Sequence, residues 1–160
     1  MNVITIEDVR AGALRENGHA KYGDGGYGYL LQHTTIPRLS AIDRFYRGKA
    51  AKEAGTASAR LWCVDGVEAP SLEEAIARLN VPPVFTDQER EVLSHVPAEW
   101  TVLHPFQTFL AGQLGRPVGT TILMLRQKGA IENELRPGPE RTLPFIRLRV
   151  PASAPAAPEV

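Results

Sequence analysis

Apolar residues recur at two spacings along this chain, and the spacing changes what each stretch is expected to build. Residues 1–17 read as a short strand followed by a helix, with Gly18 closing the helix because glycine tolerates positive φ. KYGDGGYGY, residues 21–29, holds four glycines and three tyrosines and reads as an irregular loop whose tyrosines pack on the core. Thr35-Ile-Pro-Arg resembles a helix start, and Ile36, Leu39, Ile42, Phe45 and Tyr46 then share one face of a helix over about 36–54, ended by Gly55. Ala59 to Val64 reads as a strand and Asp65-Gly66 as a hairpin turn. Ser71-Leu-Glu-Glu is a capping box opening a helix to about Leu79. VPPVF, residues 81–85, interrupts every periodicity, since proline lacks an amide donor and restricts the residue before it.

After the break the elements follow closely. Thr86-Asp-Gln-Glu89 is a second capping box, opening a helix through about His95 that Pro97 stops. Trp100 to Leu103 is a short extended piece, and Pro105 or Phe106 starts a helix to Leu114. Gly115-Arg116-Pro117 is a turn, and Val118 to Lys128 a helix ended by Gly129. Ala130 to Leu135 is a strand, Arg136 to Arg141 a turn, and Leu143 to Val150 a returning strand.

This order over residues 86–151 resembles the winged helix-turn-helix fold. Leu110, Ala111, Leu114 and Gly115 look like that family's first helix and turn, and LRQKGAIE, Leu125 to Glu132, like its exit from the second helix. The resemblance implies that helix 118–128 enters the major groove while the hairpin, as a wing, touches flanking backbone or minor groove. The expected class is therefore α+β. Residues 1–80 form a small α+β module for dimerisation, sensing or partner contact; 81–85 form a Pro-rich junction; 86–151 form a winged helix-turn-helix; and 152–160 form a disordered Pro/Ala-rich tail.

With Val118, Ile122 and Leu125 inward, the outward side of the second helix carries Gly119, Thr120, Leu123, Arg126 and Gln127. Thr120 and Gln127 suit base edges, Arg126 a guanine or a phosphate, and Leu123 a thymine methyl or another protein. Arg116 and Thr120 lie where backbone phosphates would meet the helix N-terminus. Lys128 at the helix end, and Arg136 and Arg141 on the wing, complete the expected DNA-binding set. Arg147 and Arg149 add charge along the returning strand.

Charge sharpens this only partly. The chain carries 18 Lys+Arg and 18 Asp+Glu, which argues against indiscriminate binding of nucleic acid. No 18-residue apolar run suggests a membrane span, and MNVITIEDVR lacks the basic and apolar regions of a signal peptide. Cys63 is the one cysteine, so the simplest expectation is a reduced, cytoplasmic protein with no internal disulfide. His19, His33, His95 and His104 show no metal-ligand spacing, and no nucleophile–base or paired-carboxylate arrangement stands out. No catalytic residue, metal or cofactor is expected.

The reading is a small DNA-binding transcriptional regulator acting on double-stranded DNA, for which a homodimer would raise specificity. A winged helix that docks a protein is the alternative, because helix 118–128 is nearly bare of charge. A phage or mobile-element protein acting on a host complex would fit the size. A weaker alternative is an enzyme using the loop 21–29 with His19 or His33.

Overall fold

The computed structural model describes residues 2–21, 26–46 and 58–149, together with Lys49, Glu53 and Gly55. The protein is a mixed α+β chain in two compact units, Met1–Val84 and Phe85–Val160. Among the described residues, no helix is long and apolar enough to cross a membrane.

The first unit begins with helix α1 (Ile6–Ala11), not the expected strand. Thr5 and Asp8 form a reciprocal capping box, the Thr5 amide donating to the Asp8 carboxylate over 2.7 Å. That local cap outweighs the apolar alternation of the first residues. The expected helix that follows is instead strand β1 (Leu14–Lys21). Gly18 therefore closes no helix; it sits at a bulge in β1, with φ 148°.

Strands β2 (Tyr27–His33), β3 (Leu39–Phe45), β4 (Ser58–Val64) and β5 (Val67–Ala69) complete a five-stranded antiparallel sheet in chain order. Two further expectations fail here. Tyr27, Gly28 and Tyr29 belong to β2, while residues 22–25 of the expected loop lie outside the described residues. The helix expected over 36–54 is replaced by β3 up to Phe45; its later part lies mostly outside the described residues. The helix-start signal at Thr35 serves a turn instead. The ring Nδ1 of buried His33 accepts from the amides of Thr35 and Ile36 at 3.2 and 3.1 Å, the role assigned to a hydroxyl cap.

The hairpin at Asp65-Gly66 forms with both residues at positive φ, 55° and 79°, as a two-residue connection requires. Helix α2 (Leu72–Leu79) opens on Ser71, whose hydroxyl accepts from the Glu74 amide. The Glu74 carboxylate does not reach back; it lies 3.5 Å from Arg78 on the next turn. Val9 of α1 and Ala75 and Leu79 of α2 close on Leu39, Val64 and Ala69 of the sheet. Arg38 fastens this core, donating to both Asp65 carboxylate oxygens at 2.7 Å and to the Leu79 carbonyl at 3.1 Å.

The second unit runs α3 (Asp87–Leu93), β6 (Thr101–Val102), α4 (Leu103–Leu114), α5 (Gly119–Gln127), β7 (Ile131–Pro137) and β8 (Thr142–Leu148). Thr86 and Glu89 form both halves of the capping box on α3. Helix α4 starts ahead of Pro105, which its first turn tolerates because no intrahelical amide donor is needed there. Strand β7 extends through Pro137, so the hairpin turn narrows to Gly138–Arg141. The three strands form an antiparallel sheet in the order β6-β8-β7. Val92, Leu110, Val118, Ile122, Leu125, Ile131 and Ile146 make one core beneath the helices.

Candidate nucleic-acid interface

Helix α4 ends because Gly115 adopts the left-handed conformation (φ 70°, ψ 21°), its amide turning back to Ala111. Four residues later α5 begins. Val118, Ile122 and Leu125 fall on one side and are buried, which fixes the opposite side outward. Thr120 and Leu123 are exposed there, Leu123 by 45%, while Gly119 and Gln127 are half-buried. No side chain caps the N-terminus of α5, so its first amides have no intrahelical acceptor and no side-chain one.

The basic residues are arranged less openly than their sequence positions suggest. Lys128 turns inward: its Nζ lies 2.7 Å from Glu89 Oε2, with side chains only 12% and 7% exposed. The same carboxylate oxygen accepts the Thr86 amide, so one acid both caps α3 and holds the end of α5. The Lys128 ammonium also stands 5.7 Å from the Phe85 ring centroid. Arg116 donates to Glu91 of α3 at 2.6 Å. Arg126 is half-buried, its Nε meets no partner, and burial pushes its pKa down from the ordinary guanidinium value.

On the hairpin, register places Glu132 opposite Arg147, Glu134 opposite Phe145 and Arg136 opposite Leu143. Ile131 and Ile146 point to the core, so this second set faces away from it. Arg136 and Arg147 stand 4.4 and 4.3 Å from the Trp100 ring centroid. Arg147 and Arg149 both reach Glu132, at 2.6 and 3.3 Å, and Arg136 lies 3.7 Å from Glu134. Arg141 is exposed at the turn, and among the described residues its side chain has no ion pair.

Of the expected set, Thr120, Leu123, Gln127 and Arg126 share α5, and Arg116 sits just before it. Arg136 and Arg141 lie on the hairpin, Lys128 is withdrawn into the unit, and Arg136 is held against Trp100. Sequence reasoning missed Trp100, Glu89 and Glu132 as organisers of the basic residues. The available signal was charge alternation, Glu132 and Glu134 against Arg147 and Arg149, on strands that must pair. Comparison with protein-family models, with curated proteins and with solved structures finds no match to the chain.

Proposed function

We propose that residues 86–149 form a winged helix-turn-helix and that it binds duplex DNA, with α5 in the major groove and the β7–β8 hairpin as its wing. The step from fold to ligand is by analogy, since winged helices also dock proteins. The observation that carries it is the joint placement of an uncapped, outward-facing α5 and a hairpin whose tip bears the exposed Arg141. The element order and the sheet order β6-β8-β7 support the winged arrangement. In this reading Thr120 and Gln127 meet base edges, and Leu123 meets a thymine methyl. The first amides of α5 and Arg141 hold phosphates. Arg116 and Arg136 join by exchanging Glu91 and Glu134 for phosphate, because exposed ion pairs contribute about 0–1 kcal/mol and yield readily. Lys128 stays with Glu89 and makes no DNA contact.

A second reading, a protein-docking module, is favoured by one specific observation. Six of the unit's basic side chains, Arg90, Arg116, Lys128, Arg136, Arg147 and Arg149, already pair with its own carboxylates. Leu123, Phe109 and Leu135 are meanwhile exposed large apolar side chains, at 45%, 67% and 68%. Fluorescence anisotropy with labelled duplex DNA separates the two. The DNA reading expects binding at low salt that weakens with Arg141→Ala and is abolished by Leu123→Asp. Absence of binding, or binding indifferent to both changes, leaves the docking reading.

A further inference from the structure

The first unit carries a second feature that DNA binding does not use. A cleft of about 460 Å³ opens on the sheet between α1 and the start of α2. It is bounded by the six-residue α1, by the turn at Gly12 into β1 and by half-buried Trp62 on β4. Its volume falls in the range of small-molecule sites, roughly 300–1,000 Å³.

The chemistry of the lining is one-sided. Val9, Leu14, Trp62 and Leu72 supply apolar wall, Arg10 supplies positive charge, Arg60 is matched by Asp43, and no carboxylate is among the residues lining the cleft. Arg60 is held in place: its Nε and Nη2 donate to Asp43 at 2.6 and 2.7 Å, and its guanidinium stands 5.7 Å from the Trp62 ring centroid. Arg10 is exposed, and among the described residues its guanidinium has neither an ion pair nor a hydrogen bond. His33 offers the cleft no free ring nitrogen, because its Nε2 lies 2.8 Å from the Val9 carbonyl and its Nδ1 accepts two backbone amides.

From this we infer that the cleft binds a small aromatic carboxylate, the ring against Trp62 and Leu72 and the carboxylate on Arg10. A guanidinium meets a carboxylate with two parallel hydrogen bonds, which gives orientation as well as attraction. One free arginine at an apolar cleft suits a monoanion with an apolar body better than a phosphate dianion, which would need more donors. The site would make the first unit a sensor for that class of molecule, and it stands independently of what the second unit binds.

The test uses the full chain with Trp100→Phe, so that Trp62 is the remaining tryptophan, titrated with benzoate and 3-phenylpropionate. A saturable change in Trp62 emission is expected. It should weaken at least about tenfold with 3-phenylpropanamide, the neutral analogue, and in Arg10→Gln at unchanged thermal stability. Saturation-transfer NMR on the unmodified chain reads the same titration if Trp100→Phe does not fold. No saturable response to either acid, equal binding of the amide, or indifference to Arg10→Gln overturns the proposal. Each of these outcomes leaves the DNA reading untouched.

Discussion

Replacing Lys128 with methionine separates a structural lysine from a DNA-contacting one. Methionine keeps an unbranched, flexible side chain of similar reach and carries no ammonium. In the native unit that ammonium meets Glu89 at 2.7 Å, with both side chains largely withdrawn from water. Removing one member of such a pair leaves a buried charge without its counter-charge, at a cost of about 3–5 kcal/mol. Glu89 keeps its bond from the Thr86 amide, so the lower end applies, about 3 kcal/mol. At about 4–8 °C per kcal/mol for a unit of this size, the melting temperature should fall by about 12–24 °C. Urea denaturation followed by Trp100 emission, in a Trp62→Phe background, measures the loss for the second unit alone. Adding Glu89→Gln to Lys128→Met removes the stranded charge and should restore most of the stability. A loss below about 1 kcal/mol would refute the reasoning and return Lys128 to the surface set.

Three further outcomes follow from the first unit. Gly12→Ala should destabilise it by about 1–3 kcal/mol, read by thermal melting, because a Cβ there collides with the pinned His33 ring. The Asp43 carboxyl is held below its usual range by hydrogen bonds from Arg60, whose charge also lowers it while burial opposes. A depressed folded pKa gives stability that is present above the unfolded value, about 3.9, and lost as pH falls through the folded one. The stability gap between the native chain and Asp43→Asn should thus be constant above about pH 5 and close at lower pH, and a gap that persists in acid refutes the pairing. Burial, then the charge of Glu68, pushes the Cys63 thiol up. Iodoacetamide should therefore leave the folded protein unmodified and label it only in denaturant.

The second unit was more legible in sequence than the first, and the reason is the range over which its signals act. A capping box at Thr86, and glycines at 115 and 129 with φ 70° and 75°, declare helix ends from neighbouring residues. Strand β3 has no such marker. Ile36, Leu39, Ile42 and Phe45 recur at helical spacing, and only the partners on β2 and β4 decide that LSAIDRF is extended. The start of the chain failed the other way, its capping box hidden by an Asp where a Glu or Gln is the usual partner. At the candidate interface, the outward face of α5 followed from periodicity. The fate of the long basic side chains did not, since Lys128 and Arg116 find their acids on α3, 39 and 25 residues away.

The central claim, DNA binding through α5 and the wing, is tested most directly by the salt dependence of affinity for duplex DNA. On the proposed reading Arg141, Arg116 and Arg136 would supply about two or three phosphate contacts per chain, for a slope of log K against log salt near −2 to −3. Between roughly 50 and 200 mM salt the affinity should then fall by about 10- to 50-fold. A flat salt response, or no binding even at the lowest salt, would contradict the claim.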